Sequence, residues 1–371
     1  MKLANGRMLH DWHAEVVAIR AFNRWLLDSC KALNTGTANP PSEPHENPVL
    51  DPSIWLRKRT EPEKGLNQTQ PFGIRSDVRI YMYCSEAPCG DASMELVMEA
   101  QEDATPWERP LVTPNPTDTD EVSKPSLLGR GHFSQLGIVR RKPARPDAPM
   151  TLSKSCTDKL AQIQFLSLLS STTSLLIYPE NAYIHSLVLP KSQHVIEGIE
   201  RAFGPDGRLA QIQTDASSCK LSWWAGYMLK WMSVVPTKHE FGWSRRVQGV
   251  QVAKFVPSNM ATVYTPHFQE SLINGVLQGR KLLDPKGACK ICRRSMVAAV
   301  AEVAGAVGAL AVVEGLKEIT YGELKGHLEF LEHRRRVKGY VREVMANDGW
   351  VRNDGDDGWQ VNEEAGTTSD K

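Results

Sequence analysis

Between residues 159 and 203 the apolar residues change their spacing repeatedly: helical over 159–169, strand-like over 174–178 and 184–189, and helical again over 195–203. Strands that alternate with helices bury their faces against those helices, so this stretch predicts an α/β (α+β) core, a central mixed sheet flanked by helices. The rest of the chain is read around that core. A stripe at Val16, Ile19, Phe22, Leu26 and Cys30 predicts an amphipathic helix over about 14–33. Residues 78–84 read as a strand running into the tight Ala87-Pro88-Cys89-Gly90 turn, with a helix after it. Residues 250–255 and 261–264 are further strand candidates, 290–313 a helix, and 321–345 a long helix carrying the basic run His333-Arg334-Arg335-Arg336-Val337-Lys338. Two Pro-rich polar stretches, 35–72 and 101–127, are expected as surface insertions in one domain over 1–360, with 361–371 a disordered tail.

Composition enters mainly to exclude. With 371 residues and 41% hydrophobic side chains the chain can bury a large core, and 44 Lys and Arg against 43 Asp and Glu leave no global basic field. A polyanion partner would have to be held by local clusters of cations. The run 296–313 is interrupted by Glu302 and reads as a buried helix, so no membrane segment is expected. Seven cysteines, an odd number, argue against a disulfide framework and for reduced thiols in the nucleus or cytoplasm.

Four residues could carry chemistry, two of them cysteines. His13-Ala14-Glu15 offers an imidazole that can ligate zinc and a carboxylate that can reach a metal-bound water, although a solvated His and Glu at a helix start would look the same. Cys89 sits in a Pro-Cys-Gly turn, and Cys156 in Ser155-Cys156-Thr157-Asp158-Lys159. One His and two Cys leave a coordination position open, the pattern of a catalytic zinc, which lowers the pKa of its water toward about 7. Cys289-Lys290-Ile291-Cys292 imitates half of a structural zinc site but has no second Cys pair nearby. Cys30, Cys84 and Cys219 read as small buried hydrophobes.

The ordered set of motifs resembles the adenosine deaminases acting on RNA, the A-to-I editase family, and most closely its tRNA-directed branch. The carrying segments are Leu9-His10-Asp11-Trp12-His13-Ala14-Glu15, Pro88-Cys89-Gly90-Asp91-Ala92, Arg141-Lys142-Pro143, Ser155-Cys156-Thr157-Asp158-Lys159, Ile273-Asn274-Gly275, Cys289-Lys290, Tyr321 with Lys325, and Gly349-Trp350-Val351. The resemblance implies a cytidine-deaminase-like core with an extended helical C-terminal part enclosing a buried inositol hexakisphosphate. It implies His13, Cys89 and Cys156 as zinc ligands and Glu15 as the proton shuttle. Arg20, Lys159, Ser171, Lys290, Tyr321, Lys325, Arg335 and Trp350 are the implied inositol phosphate contacts, and Asp11 and Lys142 the link between the two sites. Gln162 stands where an arginine is usual. The implied reaction is zinc-dependent hydrolytic deamination of adenosine 37 to inosine in the anticodon loop of alanine tRNA, with no obligate protein partner. The other reading is a catalytically impaired or truncated RNA-binding relative, against which Glu15 speaks.

Overall fold

The structure is a computed structural model that describes residues 3–36, 51–65, 68–106, 128–129, 131–142, 151–212, 225–244, 246–247, 258–346, 350–351 and 355–362. Helix α1 (Ala14–Thr35) carries Glu15 in its first turn, where a carboxylate suits the helix dipole, and ends at Gly36 in the left-handed conformation. Its buried residues include Val17, Ala21, Leu26, Leu27 and Cys30; of the expected stripe Leu26 and Cys30 are buried, while Val16, Ile19 and Phe22 are only half-buried.

Nine strands form three small sheets among the described residues, where one central sheet was expected. The first joins β1 (Leu56–Lys58), β2 (Phe72–Ile74) and β4 (Ile177–Tyr178). The second joins β3 (Ile80–Tyr83), β5 (Ile184–Pro190) and β6 (Ser233–Thr237), all parallel. The chain segments holding β2 and β3 pair in parallel with those holding β4 and β5, one after the other, so two sheets follow a single crossover. The third, β7 (Met260–Thr265), β8 (Phe268–Ile273) and β9 (Val276–Leu277), is an antiparallel meander.

Helix α2 (Met94–Glu99) follows the Cys89 turn, and α3 (Cys156–Leu166) and α4 (Ile196–Phe203) flank the second sheet. The expected helix over 290–313 is two helices, α5 (Arg293–Ala306) and α6 (Leu310–Gly315), parted at Gly308 with φ +69°. The expected helix over 321–345 also divides, into α7 (Tyr321–Gly326) and α8 (Glu332–Ala346), with a 3-10 turn at Glu329–Leu331 between them. The first break escaped the apolar pattern because the helices on either side bury residues in a shared core, Val300 with Val312, whereas at the second α7 buries Leu324 in that core and α8 buries Val337, Val341 and Met345 in another.

Two further expectations are corrected. Residues 35–72 are not wholly a surface insertion, since Leu56 and Phe72 are buried in the core with Leu26, Ile177 and Val300. Of the strand expected over 174–178 only Ile177–Tyr178 is extended, after a 3-10 turn at Thr173–Leu175. Residues 101–106 are exposed, while 107–127, the strand candidate 250–255, Cys219 and the tail from 363 lie outside the described residues. No helix of the described residues is long and apolar enough to cross a membrane.

Candidate active site

Two glycines bring the distant segments of the site together. Leu9 N donates to Gly275 O at 2.9 Å, and a Cβ on Gly275 would lie 2.2 Å from Leu9 O, so only glycine lets the β8–β9 turn carry the segment that leads to His13. Gly90, at φ +114°, has the same role between the cysteines, since a Cβ there would lie 2.3 Å from Ser155 Oγ. Ser155 caps α3 by accepting from Asp158 N, which sets Cys156 on the first turn. Thr157 then ties the helix to the turn: its N–H donates to Cys89 O and its hydroxyl to Pro88 O, both at 3.0 Å.

The consequence is that the ligand atoms of His13, Cys89 and Cys156 all lie within 4.8 Å of one another, on a solvent-accessible imidazole and a buried thiol. Tetrahedral zinc, with bonds of about 2.0 Å to nitrogen and 2.3 Å to sulfur, sets its ligand atoms about 3.5 to 3.8 Å apart. Cys89 Sγ and His13 Nδ1 are 3.7 Å apart. The electrostatics point the same way. Cys89 is pushed well toward thiolate by its hydrogen bond with Cys156 and by His13 and Lys142, whereas Cys156 is pushed up by the same thiol contact. Two adjacent sulfurs cannot both ionise on their own charge, and a divalent cation is what resolves the conflict. The donor set therefore fits zinc. Among the described residues this trio is the one such cluster of metal-ligating side chains; Cys289 and Cys292, both fully buried, are not part of another.

Glu15 is half-buried on the first turn of α1, and its carboxyl is raised from the ordinary value by burial and by the charge on Cys89. Lys142 Nζ bridges outward, 3.0 Å from Cys156 Sγ and 3.0 Å from Asp11 Oδ2. Burial opposes the charge on Lys142, but Cys89, Cys156 and Asp11 outweigh it and raise the ammonium above its usual value. Asp11 also accepts from His13 N at 3.2 Å and pairs with Lys159. Burial alone would raise its carboxyl, yet Lys159 and Lys142 hold it well below the usual range.

Comparison with known proteins decides the family. The profile of the adenosine-deaminase (editase) domain matches residues 2–354. This chain belongs to that family. It is 35% identical over 79% of its length to tRNA-specific adenosine deaminase 1 of Schizosaccharomyces pombe, and 29% identical over 51% to that of Saccharomyces cerevisiae. Against the double-stranded RNA-specific editase Adar of Drosophila melanogaster the identity is 26%, again over 51% of the chain. The matches cover 66%, 42% and 25% of those relatives, so the chain spans less than two thirds of the length of each.

Asp11 also lines a cavity of about 780 Å³, whose wall holds nine Lys and Arg side chains and only two carboxylates, Asp11 and Asp357. Of the eight residues expected to contact an anion, Arg20, Lys159, Lys325, Arg335 and Trp350 line it. Tyr321 does not, but stacks on Trp359 and lies under the Lys325 ammonium. Ser171 and Lys290 are elsewhere: Ser171 O accepts from Ser174, and Lys290 is exposed, its ammonium 4.8 Å over the Phe268 ring. The reading of the sequence missed Lys154, Arg293, Arg334, Lys338 and Arg342. Gln162 keeps a polar role in the wall by accepting from Arg342 Nε at 3.3 Å. Burial lowers the basicity of Arg20, and Arg334 Nε is buried without a hydrogen-bond partner. Such a lining fits a compact polyanion.

A second ionic group escaped sequence reasoning altogether. Asp91 and Asp158, each two residues beyond a candidate ligand, are fully buried. Arg208 Nη1 is 2.6 Å from Asp158, Arg201 Nε 3.0 Å from Asp91, and Arg201 Nη1 2.6 Å from Glu95. Arg140 N donates to Asp158 and Gly137 N to Asp91, both at 2.9 Å. The repeated spacing, Cys89-Gly90-Asp91 and Cys156-Thr157-Asp158, is the signal that could have found it.

Proposed function

We propose that this chain is a zinc-dependent hydrolase that deaminates adenosine to inosine in tRNA, at adenosine 37 beside the anticodon of alanine tRNA. The observation that carries the reading is the meeting of His13, Cys89 and Cys156 within 4.8 Å, with Glu15 two residues beyond His13 on the first turn of α1, in a member of the editase family. His13, Cys89 and Cys156 would hold the zinc, which would supply Lewis acidity to activate a water. Glu15 would accept one proton from the water and pass it to N1 of the adenine ring as the water oxygen bonds to C6, then carry the second proton to the C6 amino group, so that the C6–N bond breaks with loss of ammonia and inosine remains. The raised proton affinity of Glu15 suits both directions of transfer.

The names of the two yeast relatives support tRNA as the substrate, and their identities exceed that to the double-stranded RNA editase. An anticodon loop suits a site of this kind, because an unpaired base costs less to extract from its stack. In the cavity, inositol hexakisphosphate would be held by Arg20, Lys159, Lys325, Arg335 and the further cations of the wall. Asp11 and Lys142 would connect that anion to the zinc ligands through Cys156. The same reading puts the protein in the nucleus, the cytoplasm or both, with reduced cysteines.

Nucleoside mass spectrometry of alanine tRNA incubated with wild-type protein and Glu15→Ala tests this. Wild type is expected to form inosine and the variant to lose at least about 100-fold in rate while still holding about one zinc per chain. An unchanged inosine yield in the variant would remove Glu15 from the chemistry.

A further inference from the structure

The loop after β6, residues 238–244 with 246–247, is built against the turn that carries Cys89. Arg246 Nη1 donates to Glu86 Oε1 at 2.7 Å, and the same guanidinium bonds Ser85 O and Glu240. Tyr83 Oη donates to His239 O at 3.2 Å, and Ser192 Oγ to Glu240 Oε1 at 2.8 Å. Inside the loop, Ser244 is buried, Ser244 N donates to Phe241 O and Val247 N to Ser244 O. Glu86 precedes Cys89 by three residues, so the anchor of the loop lies within about 10 Å of that turn's sulfur-bearing residue. On this braced support Phe241 is 49% and Trp243 80% exposed, with Lys238 and, on the neighbouring turn, Lys191 also exposed.

An exposed large aromatic on a loop anchored to the turn that carries Cys89, with exposed lysines on the same loop and on the neighbouring turn, is suited to stacking on a flat partner that carries negative charge. We propose that Phe241 and Trp243 form a platform for an unpaired nucleobase adjacent to the reacting adenosine, with Lys191 and Lys238 meeting its phosphates. The platform selects a single-stranded RNA loop, because a base inside a duplex already has both faces covered by its neighbours. This rests on the reading above that the site deaminates adenosine in RNA.

The test compares wild type, Trp243→Ala, Trp243→Phe and, as a control on an exposed apolar residue far along the chain, Leu310→Ala. Affinities are measured by fluorescence anisotropy for an anticodon stem-loop and for a fully paired duplex of the same length, with thermal unfolding run on each protein. Trp243→Ala is expected to weaken stem-loop binding about tenfold, Trp243→Phe to recover most of it, and neither to change duplex binding or the melting temperature. Leu310→Ala should match wild type throughout. A stem-loop affinity within twofold of wild type in Trp243→Ala overturns the platform alone, including in favour of a protein partner for this loop. A wild-type protein that binds neither RNA overturns the platform together with the functional reading beneath it.

Discussion

The editase fold holds two buried ionic regions that solve the same problem in opposite ways. Behind the cysteines, the carboxylates of Asp91, Asp158 and Glu95 meet the guanidiniums of Arg140, Arg201 and Arg208, three acids against three cations, with Arg201 shared by Asp91 and Glu95. In the second region, which Asp11 lines, nine Lys and Arg face two carboxylates across a cavity of about 780 Å³. The first region is neutral by itself and positions the Cys89 turn against the start of α3. The second has cations far in excess of carboxylates among the described residues of its lining, a balance that suits an anionic ligand. Internal charge can therefore serve as scaffold or as receptor, and the balance of signs tells which.

Three measurements would break or sharpen that contrast. The largest effect is expected from Asp158→Ala, which strands Arg208 in the closed region and should cost about 3 to 5 kcal/mol in denaturant unfolding. Arg335→Gln, in the protein freed of polyanion by high salt, should stay within about 0.5 kcal/mol of wild type, since it removes one cation from among many. Equal losses in the two variants would erase the distinction. Next, adding a highly phosphorylated inositol at about 100 times its dissociation constant should stabilise wild type by about 2.7 kcal/mol, read as a rise in melting temperature. Arg335→Gln should need more ligand for the same rise, and Asp158→Ala should respond as wild type does.

The smallest effect is expected at the partly exposed edge of the closed region. Glu95 is an acid whose burial is outweighed by Arg201, which lowers its carboxyl in the folded state. A lowered folded value means stability present above the ordinary carboxylate range and lost as the pH falls through the lowered one. Glu95→Gln should therefore cost less than about 1 kcal/mol at neutral pH, and the difference from wild type should vanish in acid unfolding curves. A difference that grew with acidity would mean the pair opposes folding.

Legibility differed by the kind of signal. Helix α1 was readable because its apolar residues recur at helical spacing, although its most buried residues include Val17, Ala21 and Leu27 from outside the expected stripe, and the helices after the Cys89 turn and over 196–203 followed similar cues. The strand pair β8 and β9 was not read, although Asn274 and Gly275 both take positive φ in a two-residue turn and Asn-Gly is the usual signature of one. β1 was hidden inside a Pro-rich stretch whose composition suggested surface, where only the burial of Leu56 against Phe72 and Ile74 makes it core. The zinc trio was legible through motif resemblance. The full set of cavity cations was not, because Lys154, Arg293, Arg334, Lys338 and Arg342 come from segments whose charges look like ordinary solvated ones.

By itself the sequence determined the class of fold, the periodicity of α1 and the kinds of donor atom that could hold a metal, since these depend on residue type and short-range spacing. Only the tertiary structure decided that His13 and Cys89, 76 residues apart, stand 3.7 Å from each other, and that charges from both ends of the chain turn toward one cavity. Distances between remote residues are set by packing and by backbone approaches such as Gly90 against Ser155 and Gly275 against Leu9, which no local pattern records.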